Sequence, residues 1–409
     1  MHSAENDLLI LAARPSLNPE AASRLRSLIR ETTNWQHVLE TAQEHAIPPL
    51  LYHHFRSECV DEVPADVMLQ LRDLNEANTN HAFRLLAELV KLLDLFKEHG
   101  IDAIPFKGPT LSLLAFGDVA LRQFADVDIL IRAEHMAPAG RLLSANGFLP
   151  TPRLDGGQEA ALLRFDCAQN FCNQQNVTVD LHWNFAPKYL GIAVDLHTLR
   201  GRLQPIHFGQ RKMTTLAQED LLLVLSIHGF THNWQRLGWI SDIAGLIERN
   251  TTSWELLLRN ARRLGLQRIL SVGLLLASKL LEAGIPRTAL TEIERDAAAV
   301  ELADRYALRI LNPREDARLF ESPLIHLRMR ERLPDKIFGG VRLLLVPRAF
   351  DWLFLSIPAS LSFLYYLVRP GRLVWKHVKE FNRGRPHQPG LPEHVRVAIY
   401  GLQKCWQSL

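Results

Sequence analysis

The chain has 409 residues, of which 47% are hydrophobic and 22% charged, and its formal net charge is +3. This composition excludes a disordered chain, a fibrous repeat and a polytopic membrane protein. The length is enough for two or three domains of about 150 residues each. Four cysteines without a C-x-x-C pair argue against a zinc ribbon, and the first residues show no apolar run typical of a secretory signal. We therefore expect a cytoplasmic protein.

Elements with two different periodicities follow one another along the chain. Apolar residues recur every three or four positions through residues 1–98, which predicts helices that end with one over His81–Glu98. Short apolar or alternating segments then predict strands over Ile101–Phe106, Asp126–Ile131, Leu162–Cys172 and Val177–Trp183, with a helix over Glu134–Asn146 and a hairpin loop over Asn173–Asn176. The helical period returns from Gln218 onward. The pattern predicts an α+β fold in which helices flank a small mixed sheet.

The same changes in pattern suggest four regions. We predict a helical N-terminal region over 1–98, a mixed domain over 99–215, a helical domain over 216–330 and a basic C-terminal region over 331–409.

The charge of the C-terminal region differs from that of the rest. From Glu321 onward there are 14 Lys/Arg against 6 Asp/Glu, and the residues before it are net acidic. The uncharged run Trp352–Val368 is short for a membrane span, so it predicts a buried helix or one that lies on a membrane surface. Anionic lipid would suit the basic residues just beyond it, which are Arg369, Arg372, Lys376 and Lys379. Residues 338–385 are therefore a candidate contact with the inner face of the membrane, with a solvated basic surface as the alternative.

Two carboxylates share one face of the second predicted strand. Asp126 and Asp128 are two residues apart, so their side chains project to the same side, whereas Val127 and Ile129 point to the other. Neighbouring carboxylates repel each other unless a cation joins them, and Mg²⁺ prefers oxygen ligands of this kind. The alternative is a strand that ends in two solvated acids.

A later strand carries a third carboxylate. Asp180 and His182 alternate with Val179 and Leu181, so they also share a face. If the two strands are neighbours, three carboxylates can hold two metal ions, as phosphoryl or nucleotidyl transfer requires. Asp180 would then be a metal ligand or the base for an attacking hydroxyl. Otherwise Asp180 and His182 form hydrogen bonds with each other or with a loop.

The first strand ends in Lys107-Gly108-Pro109, before a predicted helix. A glycine lets the backbone approach a ligand, a helix N-terminus favours phosphate, and the lysine adds a cation. The segment lacks the spacing of a P-loop. Arg122, four residues before Asp126, can reach the same phosphates or form a surface salt bridge.

Weaker candidates lie in the later helices. His228 and His232 are four residues apart, which suits two metal ligands, but histidines on a helix face more often serve packing. Arg236 can contact a phosphate or an acceptor, or pair with Asp242. No recognisable module for sequence-specific nucleic-acid binding is present.

Several blocks, in this order, resemble one known family. The blocks are Ile104-Pro-Phe-Lys-Gly-Pro109, Arg122-x-x-x-Asp-Val-Asp-Ile-Leu130, Val179-Asp-Leu-His-Trp183, His228-Gly-Phe-Thr-His-Asn-Trp-Gln-Arg-Leu-Gly-Trp-Ile-Ser-Asp242 and Leu364-Tyr-Tyr-Leu-Val-Arg-Pro370. Together they are similar to the uncharacterised bacterial nucleotidyltransferase family of the polymerase-β-type superfamily.

The resemblance implies a magnesium-dependent transferase. Asp126, Asp128 and Asp180 would bind two Mg²⁺ ions, with Mn²⁺ as an alternative. A nucleoside monophosphate would move from ATP or another NTP to a hydroxyl, with release of pyrophosphate. Pro109 departs from the superfamily's usual Gly-Ser turn.

Roles for the remaining residues complete the prediction. Lys107, Gly108 and Arg122 would bind the nucleotide, and His182 and Arg236 would support the acceptor. The acceptor would be a small molecule, peptide, glycan or protein, since genes of this family often lie in biosynthetic clusters. The alternative is an inactive nucleotide-binding or membrane-surface scaffold of the same fold.

Overall fold

The computed structural model describes residues 4–311 and 324–383. Its internal contacts divide the chain into two compact units, both built from separate stretches of sequence. The first unit takes its residues from 1–94, 104–127 and 202–331, and the second from 95–103, 128–201 and 332–409. The predicted division into four regions stays a prediction.

Helices make up most of both units. In the described residues they are, in chain order, α1 (Ala4–Ala12), α2 (Pro19–Glu31), α3 (Trp35–Glu44), α4 (Pro48–Glu58), α5 (Ala65–Glu98), α6 (Gly108–Phe116), α7 (Met136–Ala145), α8 (Gly156–Phe165), α9 (Leu196–Leu199), α10 (Gln218–Thr231), α11 (Leu237–Arg249), α12 (Trp254–Leu264), α13 (Gln267–Leu281), α14 (Arg287–Glu294), α15 (Ala297–Leu311), α16 (Leu324–Arg328), α17 (Leu333–Leu345), α18 (Ala349–Phe354) and α19 (Tyr365–Arg383). Short 3₁₀ turns cover Val119–Leu121, Ala133–His135, Lys188–Leu190, Arg200–Arg202 and Ala359–Leu364.

The strands form two sheets. They are β1 (Ile104–Pro105), β2 (Asp126–Leu130), β3 (Leu149–Thr151), β4 (Ala168–Cys172), β5 (Thr178–His182), β6 (Gln204–Phe208) and β7 (Arg211–Thr215). Five of them form a sheet of order β1-β2-β5-β4-β3, and β6 and β7 form a hairpin. The predicted α+β class with a small mixed sheet is confirmed.

Helix α10 lies at the centre of the first unit. Almost all of its residues are buried, and it packs against α11, α12 and α13. At its end the indole of Trp234, fully buried, occupies the space that a side chain at Gly229 would need. Gly229 is therefore a packing residue, which explains why the His228 motif has no larger residue at that position.

The β4–β5 hairpin organises the second unit. Its strands pair antiparallel, with Asn170 opposite Asp180 and Ala168 opposite His182. The loop is stabilised by the side chain of Asn173, whose Oδ1 accepts hydrogen bonds from the amides of Gln175 and Val177, both at 2.9 Å. This interaction fixes the turn and hence the register of the residues on both strands.

Two sequence predictions need correction. The segment over Leu162–Cys172 is not one strand, because Leu162–Phe165 ends helix α8 and only Ala168–Cys172 is extended. A capping box at Asp155 starts this helix, since Oδ1 of Asp155 accepts from Gln158 N and the Gln158 side chain accepts from Asp155 N. The uncharged run Trp352–Val368 is likewise not one helix, since it is interrupted between α18 and the Ala359–Leu364 turn.

The last described segments pack within the second unit. Phe165 of α8 contacts Tyr365 edge to face, and Arg164 donates a hydrogen bond to the Ser362 hydroxyl at 3.0 Å. Arg369 is buried and donates to Asp351 at 3.0 Å, and Arg372 also pairs with Asp351. The prediction that Arg369 faces lipid is therefore wrong, because its charge is neutralised inside the unit.

The residues that the structure describes contain no helix with both the length and the apolar character that crossing a bilayer requires. Residues 384 and 385 of the predicted membrane contact lie outside the described residues.

Candidate metal centre

Strand β2 places one carboxylate in a buried position. Its neighbours Val127 and Ile129 are fully buried, and the side chain of Asp128 is only 2% exposed. A buried carboxylate needs hydrogen bonds or a cation to offset the loss of hydration. A bound cation or a hydrogen-bond donor would therefore stabilise the ionised form of this buried carboxylate.

Strand β5 presents the other two polar groups. Val179 and Leu181 are fully buried, whereas Asp180 and His182, on the opposite parity, are partly exposed. The alternation predicted from the sequence is confirmed. Across the hairpin, the Asn170 amide donates a hydrogen bond of 2.5 Å to Oδ1 of Asp180. Asn170 thereby fixes the orientation of this carboxylate.

These side chains converge in the second unit. One ligand atom each from Asp128, Asp180 and His182 lies within 4.8 Å of the other two. His182 Nε2 lies 3.2 Å from Asp128 Oδ1, which is hydrogen-bond distance for the Nε2–H tautomer. Two carboxylates suit Mg²⁺ or Mn²⁺, and an imidazole either joins the ligand set or orients a carboxylate. The donor set therefore fits a divalent cation.

Asp126 belongs to the first unit by the division of contacts, although only one residue separates it from Asp128. It begins β2 and is partly exposed. The cluster of three metal-capable side chains found among the described residues does not include it. Its role as a ligand stays a prediction.

The glycine of the Lys107-Gly108-Pro109 turn meets a strict geometric requirement. Gly108 has φ of +54°, and a Cβ on it would lie 2.7 Å from the carbonyl oxygen of Asp126. A side chain at this position would both strain the backbone and collide with β2. Pro109 lies in the first turn of α6, where a missing N–H costs little. Gly108 thus brings the start of α6 against the strand that carries the acidic pair.

Arg122 is in a buried ion pair. Its Nε and Nη2 donate to the two carboxylate oxygens of Asp242 at 2.7 and 3.0 Å. Burial raises the pKa of Asp242, and the positive charges of Arg122 and Lys107 oppose that rise. The alternative prediction for Arg122 was a salt bridge on the surface. The location is wrong, because both side chains of the pair are largely buried. A phosphate contact for Arg122 stays a prediction.

Aromatic and basic side chains surround the histidine pair of α10. The rings of His228 and His232 lie 4.4 Å apart, and both contact Trp239. The Arg236 guanidinium lies 5.7 Å from the centre of the Trp239 ring, so it is a stacking partner of this indole. Burial, together with the charges of Lys107 and Arg236, lowers the pKa of His232 to about 3. This histidine is therefore neutral at physiological pH.

Basic charge is concentrated around these residues of the first unit. Lys107 acts electrostatically on both His232 and Asp242, and Arg122 lowers the pKa of Arg236, though less than burial does. The charge of Arg122 is already matched by the Asp242 carboxylate, so Lys107 and Arg236 supply the positive charge next to His232.

Asn170 is the site residue that the sequence prediction missed. A single asparagine in a short strand gives little signal by itself. The register of the hairpin, which places it opposite Asp180, would have identified it.

One of the three comparisons with known proteins finds a match. No curated protein and no solved structure matches the chain. One protein family, described as an uncharacterised nucleotidyltransferase, matches residues 31–282, which is more than half of the chain and includes every predicted site residue. The chain belongs to this uncharacterised nucleotidyltransferase family.

Proposed function

We propose that the protein is a metal-dependent nucleotidyltransferase that uses an NTP such as ATP. It transfers a nucleoside monophosphate to a hydroxyl of a small molecule, peptide, glycan or protein and releases pyrophosphate. The observation that carries the proposal is the convergence of Asp128, Asp180 and His182 on neighbouring strands of a nucleotidyltransferase-family chain.

The carboxylates supply the ligands in this proposal. Asp128 and Asp180 hold the divalent cation, Mg²⁺ or Mn²⁺, and we retain Asp126 as a further ligand from the D-x-D pattern. Two ions are expected by resemblance to the superfamily. When bound, the metal neutralises phosphate charge and lowers the pKa of a hydroxyl.

The reaction requires a base and an oriented carboxylate. The acceptor oxygen forms a bond to the α-phosphorus, the bond from that phosphorus to the oxygen bridging to the β-phosphate breaks, and pyrophosphate leaves. Asp180 takes the hydroxyl proton in this scheme, held by its hydrogen bond from Asn170. His182 orients Asp128 through its Nε2 atom, which is a more specific role than the predicted support of the acceptor.

Lys107, Gly108 and Arg122 remain the proposed nucleotide-binding residues. Lys107 and Arg236 supply positive charge next to His232, which supports binding of phosphate, whereas Arg122 would have to share its charge between a phosphate and Asp242. Gly108 serves by its backbone conformation, since the positive φ lets α6 begin immediately after the lysine.

A second candidate is a protein that binds nucleotide without transferring it. Pro109 favours this alternative, because it has neither the hydroxyl of the superfamily's usual serine nor a backbone N–H. Attachment of 338–385 to a membrane surface is a separate proposal, since it depends on other residues.

Calorimetry with each of the four NTPs, with and without Mg²⁺ or Mn²⁺, tests the site. The wild type is compared with Asp128→Asn/Asp180→Asn. A matched control is Asp73→Asn, since this carboxylate on α5 is 71% exposed. We expect metal-dependent binding that the double variant loses by about a hundredfold or more and the control keeps. Equal binding by all three proteins, or none by a folded wild type, would refute the site.

Product analysis then separates the activities. Pyrophosphate released on adding candidate acceptors supports nucleotidyl transfer, whereas ADP from ATP indicates a kinase-like reaction. Metal-dependent binding without either product supports the second candidate. Loss of product formation in the same double variant assigns the chemistry to this centre.

A further inference from the structure

Exposed apolar side chains are concentrated near the C-terminal end of the described chain. Of the twenty large apolar residues that are strongly exposed in the described part, fourteen lie between Leu324 and Trp375. Exposed apolar side chains concentrated in one part of a globular protein are typical of an interaction site. Among these residues are Leu333, Ile337, Val341 and Leu344 of α17 with Leu367 and Trp375 of α19, which we name the C-terminal apolar surface.

Helix α17 is apolar on two opposite sides. Its buried side carries Leu343 and packs on α19 and on the Lys188–Leu190 turn within the second unit. The opposite side repeats Leu333, Ile337, Val341 and Leu344 at intervals of three and four, and these side chains are 47–68% exposed. Packing within the unit accounts for the apolar residues on the buried side of α17 but not for those on its exposed side.

Helix α19 contributes a second exposed line. Leu367, Val374 and Trp375 are 71%, 63% and 59% exposed and lie at helical spacing. α17 and α19 pack against each other, so the two exposed lines belong to neighbouring helices of one unit. A tryptophan at the margin of an apolar patch is typical of helices at the membrane interface.

Basic residues border the exposed arc of α17 on both sides. At 100° per residue, the arc from Leu333 to Phe338 covers about 140° and contains no charged residue. Arg342 and Asp335 lie about 40° and 60° beyond one edge, and Lys336 lies about 60° beyond the other. Arg342 is exposed with its guanidinium over Gly191, and Lys336 is partly exposed, so both cations lie at the borders of the apolar arc.

We propose that the C-terminal apolar surface binds the surface of an anionic lipid bilayer. α17 lies in the plane of the interface, with Ile337 and Val341 among the acyl chains and Lys336 and Arg342 at the phosphates. Lys336 and Arg342 outnumber Asp335 and give the borders a net positive charge, which lipid phosphates neutralise and a second copy of the same surface would not. The proposal is independent of the nucleotidyltransferase activity.

Co-sedimentation of the full chain with vesicles tests this binding. Vesicles of phosphatidylcholine alone are compared with vesicles that also contain phosphatidylglycerol. We expect binding to the anionic vesicles that weakens as salt is raised. Ile337→Asp/Val341→Asp should lower the partition coefficient about tenfold or more, and Lys336→Gln/Arg342→Gln about fivefold per charge.

The matched control places the same changes elsewhere. Val60→Asp/Leu69→Asp alters two apolar side chains that are 53% and 50% exposed in the first unit and should bind as the wild type does. Circular dichroism verifies that each variant is folded. No wild-type binding, or equal binding by the Ile337/Val341 variant, would overturn the proposal. A concentration-dependent dimer that this variant abolishes would assign the surface to a second copy instead.

Discussion

The Nε2 atom of His182 lies 3.2 Å from the Oδ1 atom of Asp128, and both side chains are largely buried. This contact joins β2 to β5 at the point where Asp180 also presents its carboxylate. A histidine that holds a ligand carboxylate in this way commonly contributes one or two orders of magnitude to metal affinity.

Replacing His182 should therefore weaken metal binding. We expect His182→Ala to reduce the affinity for Mn²⁺ by about 10- to 100-fold, because Asp128 loses its orienting partner. Titration followed by electron paramagnetic resonance measures free Mn²⁺ directly. His207→Ala, at an exposed position on β6, is the control and should leave affinity unchanged. Equal affinities in both variants would mean that His182 has no part in the centre.

A side chain at Gly108 should destabilise the turn before α6. Gly108→Ala adds a Cβ only 2.7 Å from a backbone oxygen and also forces a residue other than glycine to adopt φ of +54°. We expect a loss of about 2 kcal/mol or more in the free energy of unfolding, measured in urea.

Gly100→Ala separates the two causes of that loss. Gly100 has φ of +68° but no atom within 4 Å of the added Cβ, so this variant has the backbone strain alone. A cost of about 1 kcal/mol is expected there. If the two variants lose equal stability, the collision with Asp126 contributes nothing.

Breaking the pair between Arg122 and Asp242 should be costly. Arg122→Ala leaves a buried carboxylate without its bidentate partner, so we expect the free energy of unfolding to fall by about 3–5 kcal/mol. The double variant Arg122→Met/Asp242→Leu removes both charges and should recover much of this loss. Urea denaturation of the single and double variants gives the coupling energy, and strictly additive losses would contradict a direct pair.

Acid should destabilise the first unit through its buried histidines. Burial lowers the pKa of His54 to about 4, and its Nε2–H donates to the carbonyl of Arg14 at 2.8 Å. The unfolded chain, with a histidine pKa near 6.5, therefore binds a proton that the folded chain does not. Stability should fall as pH decreases from about 6.5 to about 4, by about 3 kcal/mol for this residue.

The variant His54→Gln tests this dependence. It can keep a donor for the Arg14 carbonyl but cannot take up a proton in this pH range. Denaturation at several pH values should give a shallower decline between pH 6.5 and 4 than the wild type shows. His37→Gln, at an exposed position on α3, should retain the wild-type slope. An unchanged slope in His54→Gln would remove this residue from the explanation.

Local pattern predicted the strands of the site well. The alternation of Val179 and Leu181 with Asp180 and His182 is confirmed, because side-chain direction along a strand depends on parity alone. The register of the hairpin was not predictable in the same way. The loop extends through Val177, one residue beyond the predicted end, and a shift of one residue decides which side chain faces Asp180.

Contacts between distant segments could not be predicted from local sequence. Arg122 and Asp242 are 120 residues apart, and the sequence suggested Arg236 as the partner of Asp242, which the structure shows to be wrong. The division of the chain into two units could not be predicted for the same reason, because it depends on contacts between residues that are far apart in the sequence. Helix α8 shows that local sequence can also mislead. Its capping residues favour a helix, whereas the apolar run at its end also suits a strand.

The packing of the C-terminal segments onto α8 has a practical consequence for dissecting the protein. The family match ends at residue 282, which invites expression of a shorter fragment without the basic region. Yet Arg164 and Phe165 are covered by Ser362 and Tyr365 in the unit that also holds Asp128. Removing everything after residue 330 would expose to water the surface of α8 that these side chains cover. Activity lost by such a fragment would report damage to the domain, so point substitutions are the sound way to separate its functions.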